Sequence, residues 1–205
     1  MSEPLRVLFV CTANICRSPV MELAARAMAG DVRDVEFSSA GTQGFEAAPI
    51  NPDMAVTLTP GLGEEFRSRR LSRAILEKVD LVLTAETSHR SHILEEHPHL
   101  HRRVFTLGQF AATIAQIPDL TGRALLTEAG QRRTPPRLAD DVADPYRRGR
   151  AAAETATGTI TAMLSVIVPR LTGFPAATED DCWTSSRSRS SRSSPPASSS
   201  ASWSG

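Results

Sequence analysis

Short apolar runs alternate along the chain with stretches whose apolar residues recur at helical spacing. The runs are Val7–Val10, Val35–Phe37, Leu81–Leu83 and Val104–Leu107, and each is bounded by turn residues. Runs of this length are typical of buried strands, and their alternation with helices indicates βαβ units. The pattern therefore predicts an α/β protein, in which a small doubly wound sheet of four parallel strands is covered by helices on both faces.

Helix boundaries follow from capping signals and from the spacing of apolar residues. Helices are predicted after the first loop and from Asn51, Ser72, Thr87, Leu107 and about Arg150. The buried stripe of the last helix is expected to consist of Ile160, Met163, Leu164, Ile167, Val168 and Leu171. Residues 118–141 are less regular and are predicted to form a long connection that brings Asp144 to the carboxyl edge of the sheet.

The first strand runs directly into Cys11, and Arg17 and Ser18 follow after five intervening residues. A tight loop between a strand and a helix directs backbone N–H groups inward, and with the helix N-terminus these form an anion cradle. The same amides and a fixed guanidinium favour the thiolate over the thiol. Arg17 can bind two phosphate oxygens at once through its planar fork. The motif therefore predicts a nucleophilic Cys11 that faces a bound phosphoryl group.

Two other roles for Cys11 are weighed against this one. A buried, unreactive cysteine at a strand end is common in proteins. A zinc site would need two ligands besides Cys11 and Cys16, and the third cysteine, Cys182, lies in a low-complexity segment. The nucleophile is favoured because the motif stands between a strand and an amphipathic helix, which is the context it needs. No metal site and no cofactor are predicted.

Residues 11–19 read Cys-Thr-Ala-Asn-Ile-Cys-Arg-Ser-Pro and resemble the active-site loop of the low-molecular-weight protein tyrosine phosphatases. The usual pattern there is Cys-x-Gly-Asn-x-Cys-Arg-Ser-Pro, so Ala13 replaces a glycine and would be strained at a positive φ. The resemblance covers about residues 5 to 172, through the segments Ser39–Thr42, Arg67–Leu71, Asp80–Thr84 and Asp144–Tyr146. It implies a catalytic domain over residues 1–175 with the flavodoxin-like strand order.

The resemblance implies hydrolysis of phosphotyrosine in two steps, through a phosphocysteine intermediate on Cys11. Arg17 and the loop amides would neutralise the phosphoryl oxygens without a metal ion. Asp144 would protonate the tyrosyl leaving group, and Pro145 would hold its loop extended. An isolated Asp-Pro pair usually marks a turn, so the role of Asp144 depends on the presence of the Cys11 loop.

Several loop residues are expected to bind the phosphate or to shape the loop. The phosphate-binding residues are predicted to be Thr12, Ala13, Asn14, Ile15, Cys16 and Ser18. Ser18 would hydrogen-bond the departing Cys11 sulfur, cap the helix, or do both, and Asn14 would orient the loop from a left-handed conformation. For Cys16 two roles stay open: the resemblance implies a protective disulfide with Cys11 under oxidation, and the alternative is a small packed residue.

The mouth of the pocket is predicted from the same resemblance. Phe45 and Tyr146 stand where the family places aromatic walls that stack on the phosphotyrosine ring. Basic residues follow at Arg147, Arg148 and Arg150. They form either a solvated face or a rim that attracts acidic sequence around the phosphorylated residue.

The composition restricts the protein's surroundings and partners. With 23 Lys and Arg against 23 Asp and Glu, the net charge is zero, which does not favour nucleic acid as a partner. Two of the three cysteines lie in the reactive loop and no leader pattern stands out, so a cytoplasmic protein is predicted. The stretch Ile160–Leu171 is short for a membrane span, and no membrane insertion is expected.

Residues 176–205 differ from the rest of the chain. They are rich in Ser, Arg and Pro and are predicted to form a disordered tail, the alternative being a phosphorylated docking segment. A histidine cluster precedes the fourth strand, and its spacing matches no metal-ligand template, so a solvated helix and loop are predicted. Its members are His89, His92, His97, His99 and His101.

Three functions are compared on this basis. The first is a phosphatase acting on a tyrosine-phosphorylated protein, for which the family suggests a bacterial tyrosine kinase of polysaccharide export. The second is an arsenate reductase, but thioredoxin-linked reductases need relay cysteines, which are missing between Cys16 and Cys182, and tend to carry glutamine in place of Pro19. A reductase using a small thiol would escape the first objection. The third is a protein-arginine phosphatase, whose loop has threonine in place of Ile15.

Overall fold

The computed structural model describes residues 3–173, which form a four-stranded parallel sheet flanked by helices. The strands are β1 (Leu5–Cys11), β2 (Val35–Gly41), β3 (Leu81–Thr84) and β4 (Val104–Thr106). Their order in the sheet is β2-β1-β3-β4, the flavodoxin-like order, so the predicted fold class is confirmed. The disordered tail predicted for residues 176–205 lies outside the described residues.

All but one of the helices in the described part begin close to the predicted positions. They are α1 (Arg17–Ala29), α2 (Pro52–Ala55), α3 (Arg73–Leu76), α4 (Thr87–Glu96), α5 (Leu107–Ile114), α6 (Gly122–Gln131) and α7 (Gly149–Thr172), with 3-10 turns at Pro98–Leu100 and Leu138–Asp140. Three of the starts are capped by side chains, because the Asn51, Ser72 and Thr106 side chains accept hydrogen bonds from amides of their first turns. Leu107 was predicted both to end the fourth apolar run and to begin a helix, and the structure shows it as the first residue of α5.

The sheet has an apolar core on each face, because successive side chains of a strand point to opposite sides. Val7 and Phe9 of β1 pack in the larger core, which also contains apolar residues of α1, α5, α6 and α7. Leu8 and Val10 pack in the smaller core with residues of α3 and α4. All four side chains are fully buried. A central strand that is apolar on both sides accounts for the unbroken apolar run that predicted it.

Helix α6 corrects the prediction of an irregular connection over residues 118–141. Gly122–Gln131 is helical, with Leu125 and Ala129 fully buried one turn apart. Its apolar face packs against α5 and α7. The Leu125–Ala129 spacing was the available signal. It was obscured because the short segment begins with a glycine and has another next to Ala129, and because the flanking segments contain prolines.

Helix α7 is the longest of the described elements, at 24 residues. Its predicted stripe is buried, apart from Met163, which is only partly buried at the edge of the core. By length and composition alone this helix would be able to cross a membrane, but it packs against α1, α2, α5 and α6. Its buried residues, which include Ile160, Leu164 and Ile167, are part of the larger core.

The burial of α6 leads to a stability prediction. Leu125→Ala should lower the free energy of unfolding by about 2–5 kcal/mol, since it removes a fully buried side chain from a packed core. Leu138→Ala is the matched control, because Leu138 is 79% exposed and the same change there should cost less than about 0.5 kcal/mol. Urea unfolding of the natural protein and of the two variants would measure these differences in the free energy of unfolding. Equal stabilities for the two variants would contradict the packing of α6.

Candidate active site

The loop between β1 and α1 turns its backbone amides inward at the carboxyl edge of the sheet. Its carbonyl groups face outward and accept hydrogen bonds of 2.8–2.9 Å from the amides of Thr42, Gln43 and Asn51. Within the described residues, the amides of residues 13–16 donate no hydrogen bond. Helix α1 also begins without a side-chain cap. The loop therefore presents free backbone donors, together with a helix N-terminus, to an anion.

Two glycines allow the neighbouring strand to approach this loop closely. A Cβ atom on Gly41 would lie 2.6 Å from the Thr12 carbonyl oxygen, and one on Gly44 would lie 2.8 Å from the Ala13 Cα atom. Both distances are too short for a real side chain, so glycine is required at each. Ala13 itself does not have a positive φ, and the strain considered for this position is absent.

Asn14 holds the shape of the loop. It has φ 55°, in the left-handed region, and its side chain is fully buried. The amide nitrogen donates to the hydroxyls of Ser18 at 2.9 Å and Ser39 at 2.8 Å, and the amide oxygen accepts from the Arg69 N–H at 2.9 Å. The side chain thus bonds to the loop's helix, to β2 and to the segment after α2, which agrees with the structural role predicted for it.

Cys11 is 2% exposed at the base of the loop, and its Sγ atom lies 3.0 Å from the Ser18 hydroxyl. Ser18 is the second residue of α1 and does not cap the helix, because the N-cap residue is Cys16. Of the two roles considered for Ser18, the structure therefore shows the contact with sulfur and not the cap. A hydroxyl group thus lies within hydrogen-bond distance of the Cys11 sulfur.

Cys16 is a buried free thiol that packs in the larger core. Burial, together with the charges of Cys11 and Asp144, raises the pKa of Cys16 to about 12. The thiol is therefore protonated at neutral pH, and of the two loop cysteines Cys11 is the better placed to act as a nucleophile. The structure shows the packed state of Cys16, and its disulfide with Cys11 under oxidation stays a prediction.

The Arg17 guanidinium is buried beside the loop and is held from two sides. Its Nη1 atom donates to the Glu86 carboxylate and, at 3.0 Å, to the Val142 carbonyl oxygen. Its Nη2 atom lies 3.4 Å from Asp144 Oδ1. The Nε atom is buried and finds no hydrogen-bond partner among the described residues. An anion in the cradle would supply this partner, as expected for an arginine that binds phosphate.

Sequence reasoning missed Glu86 and misplaced His89. Glu86 follows β3 at the carboxyl edge of the sheet. Burial alone would raise the pKa of Glu86, but the hydrogen bond from Arg17 and the charge of Arg17 outweigh burial and lower this pKa. The position after a strand of a doubly wound sheet was the signal available for Glu86.

His89 was predicted to be solvated with the other histidines, but it is 5% exposed and its Nε2 atom lies 2.8 Å from the Thr12 hydroxyl. The contact of His89 with the loop could not be predicted, because 77 residues separate His89 from Thr12 in the sequence.

The acid loop, defined as residues 141–148 between the second 3-10 turn and α7, brings Asp144 to the same site. Its carboxylate lies beside Arg17, accepts a 3.4 Å hydrogen bond from the Tyr146 N–H, and is 45% exposed. The two preceding acids are bound elsewhere, since Asp140 pairs with Arg137 and Asp141 accepts from the Thr87 amide and hydroxyl. Asp144 is therefore the one acid of this segment that faces the pocket.

A pocket of about 230 Å³ opens above the nucleophile. It is lined by Cys11, Thr12, Ala13, Ile15, Cys16, Arg17, Phe45, Asp144 and Tyr146. Phe45 and Tyr146 are 62% and 40% exposed, so the mouth of the pocket is aromatic and open to solvent. Among the sequence-predicted site residues, Asn14 and Ser18 lie behind the loop and act on its shape and on the sulfur.

The donor set of this site fits an anion rather than a metal ion. Within residues 3–173 no group of three His, Cys, Asp or Glu side chains has the arrangement of a metal site. The pocket instead combines free amides, a buried guanidinium, a thiol and one facing carboxylic acid. Such a set can bind a phosphoryl group, attack it and exchange a proton with its ester oxygen.

Comparisons with known proteins agree with this description. The family model described as low molecular weight phosphotyrosine protein phosphatase matches residues 6–120. The chain is 33% identical over 121 residues to a protein-arginine-phosphatase of Geobacillus stearothermophilus, covering 58% of this chain and 80% of that protein. It is 26% identical over 167 residues to the probable low molecular weight protein-tyrosine-phosphatase EpsP of Ralstonia nicotianae, covering 80% and 94%.

Solved structures share the fold at lower identity. The YwlE arginine phosphatase from Geobacillus stearothermophilus superposes with a TM-score of 0.66 at 24% identity, covering 83% of this chain and 94% of that one. At this identity the likeness supports the fold alone.

Burial of His89 leads to a pH prediction. Burial, helped by the charge of Arg17, lowers the pKa of His89 to about 4. Between pH 6.5 and 4 the unfolded chain then binds a proton at this residue that the folded protein does not, so acid lowers the free energy of unfolding. From pH 7 to pH 5 this loss should amount to about 2 kcal/mol.

Urea unfolding at both pH values, for the natural protein and for His89→Gln, would measure this contribution. Glutamine does not titrate, so the variant should lose about 2 kcal/mol less than the natural protein between the two pH values. An equal pH dependence in the two proteins would show that His89 is not held neutral by the fold.

Proposed function

Because the chain belongs to the low molecular weight phosphotyrosine protein phosphatase family, we propose that it hydrolyses protein phosphotyrosine at the Cys11 loop through a phosphocysteine intermediate. The observation that carries this proposal is the inward-facing loop, with its free amides, the Cys11 sulfur and the Arg17 guanidinium around one pocket. The phosphatase class follows from the family, and the roles given below to single residues are our proposal.

In the first step the Cys11 thiolate attacks phosphorus and the bond from phosphorus to the ester oxygen breaks. The loop amides and Arg17 stabilise the negative charge on the three remaining phosphoryl oxygens. Asp144 gives its proton to the departing phenolate, whose conjugate acid has a pKa of about 10. The products are tyrosine on the substrate protein and a phosphoryl group bonded to sulfur.

In the second step water attacks phosphorus and the bond between phosphorus and sulfur breaks. The Asp144 carboxylate left by the first step takes a proton from the attacking water. The Ser18 hydroxyl, 3.0 Å from the Cys11 sulfur, donates to it as negative charge returns. Inorganic phosphate leaves and the thiolate is restored.

The shape of the pocket supports phosphotyrosine as the substrate class. Phe45 and Tyr146 stand at an open mouth where an aryl ring can stack, and Ile15 adds an apolar surface next to the loop. A phosphoserine stem is too short to fill this aromatic part while its phosphate reaches Cys11. The protein partner that we propose from the family resemblance is an autophosphorylated tyrosine kinase of polysaccharide export, in the cytoplasm.

Replacement of the nucleophile tests the reaction class. Cys11→Ser should abolish turnover of a phosphotyrosine peptide and keep binding of inorganic phosphate, because serine is not ionised at neutral pH. Cys182→Ser is the matched control and should retain full activity, since Cys182 lies far outside the loop in the sequence. Activity in Cys11→Ser would refute the thiolate mechanism, and reduction of arsenate by the natural protein without phosphatase activity would favour the reductase alternative.

Replacement of the acid tests the proton donor. Asp144→Asn should lower kcat on phosphotyrosine by about 10²–10⁴-fold and act much less on an aryl phosphate whose leaving group has a pKa of ~7. Asp140→Asn is the control, because the Asp140 carboxylate is bound to Arg137 instead of facing the pocket. Equal losses on both substrates would assign Asp144 a structural role.

The side chain of Ile15 tests specificity. We expect kcat/KM to be highest for phosphotyrosine among three peptides that differ only in phosphotyrosine, phosphoserine or phosphoarginine. An apolar Ile15 offers no hydrogen bond to a guanidinium, whose unpaired burial would cost about 1–3 kcal/mol. Ile15→Thr should therefore raise the relative rate on phosphoarginine, whereas Ile15→Val, which has the shape of threonine without its hydroxyl, should not. A natural preference for phosphoarginine would replace the tyrosine assignment and leave the cysteine mechanism intact.

A further inference from the structure

His89 is buried on a helix whose neighbouring histidine is exposed. It is the third residue of α4 and only 5% exposed, whereas His92, one turn further along, faces solvent. The His89 Nε2 atom lies 2.8 Å from Oγ1 of Thr12, the residue that follows the nucleophile. A buried imidazole directed at the phosphate loop is not needed for either chemical step described above.

The other ring nitrogen of His89 faces a carboxylate. Nδ1 lies 4.0 Å from Glu86 Oε2, and it is buried without a hydrogen-bond partner among the described residues. The nearby negative charge favours a proton on Nδ1 over one on Nε2. Nε2 then carries a lone pair, so the Thr12 hydroxyl donates and His89 accepts.

We propose that His89 is a positioning residue of the phosphate cradle, which fixes Thr12 through this hydrogen bond and connects it through Glu86 to Arg17. The Glu86 carboxylate that faces Nδ1 also accepts from Arg17 Nη1. The inference rests on the proposed function in one respect, namely that a phosphoryl group is the ligand of the loop. His89 does not touch the reacting atoms and acts through its two neighbours.

The surroundings of His89 favour the neutral ring that this role needs. The charged groups that act on it are Arg17, Glu86, Asp141 and Asp144, and burial and Arg17 together outweigh the three carboxylates. A protonated ring would have no lone pair on Nε2 and would be repelled by the Arg17 guanidinium. Near neutral pH the acceptor on Nε2 is therefore retained.

The test measures binding of inorganic phosphate by calorimetry, which does not require turnover. His89→Leu and Thr12→Val should each raise the Kd for phosphate by about tenfold, the effect of losing one buried hydrogen bond. The Kd for phosphate of the double variant should not exceed the higher of the two single-variant values, because both substitutions remove the same hydrogen bond. His89→Gln, whose side-chain amide reaches the Nε2 position, should stay within about threefold of the natural protein, and so should the matched control His92→Leu.

Kinetics and spectroscopy separate positioning from general damage to the fold. The ratio of kcat on phosphotyrosine to kcat on an activated aryl phosphate should not change in His89→Leu, unlike in Asp144→Asn. Nitrogen-15 spectra of the natural protein should show His89 protonated on Nδ1, with an Nε2 signal that moves in Thr12→Val and stays in place in Thr12→Ser. These spectra remain informative if His89→Leu does not fold.

The inference would be overturned by an unchanged Kd for phosphate in His89→Leu, by a Kd in the double variant that is raised by the product of the two single effects, or by a proton on Nε2 in the natural protein. A protein that binds phosphate in a His89-dependent manner but does not hydrolyse phosphotyrosine would refute the proposed function and leave this inference standing. Loss of phosphate binding in every variant, His92→Leu included, would show that the effect is not specific to His89 and would also overturn the inference.

Discussion

The buried guanidinium of Arg17 is the interaction on which the rest of the site depends. A buried charge is costly unless it is paired, and this one is paired with Glu86 from the end of β3, with the Val142 carbonyl oxygen and with Asp144. Glu86 comes from the segment after β3, whereas Val142 and Asp144 come from the loop before α7. The hydrogen bonds and ion pairs of this one guanidinium therefore hold the β3–α4 connection and the acid loop next to the Cys11 loop. The nucleophile, the phosphate-binding groups and the acid are brought together as a result.

Much of the fold was predictable because its signals are local. The strand β1 is buried on both sides and reads as an unbroken apolar run, and Asn51 and Ser72 cap the helices that they were predicted to begin. Helix α6 was not predicted, because Leu125 and Ala129 mark only a narrow apolar face and that face is recognisable only once α5 and α7 are in place. The helical structure of this region depends on packing between elements, and such packing cannot be read from the local sequence.

The site divides in the same way. The Cys11 loop, Arg17 and Ser18 are contiguous in the chain, so a motif was enough to find them, and Asp144 was found by resemblance. Glu86 and His89 belong to the site only through contacts across the sheet, and in the sequence they are an ordinary acid and one of five histidines. Their side chains carry no local pattern, and their function appears only when the fold joins α4 to the loop.

The free amides of residues 13–16 have a consequence for the stability of the fold. Backbone donors that have no partner among residues 3–173 make this loop depend on a bound anion more than the hydrogen-bonded parts of the fold do. Any anion that fills the cradle binds the folded state alone and stabilises it, by about 2.7 kcal/mol when its concentration is a hundred times its Kd. Phosphate, a product of phosphatase chemistry, would thus raise the free energy of unfolding at the same concentrations at which it competes with substrate.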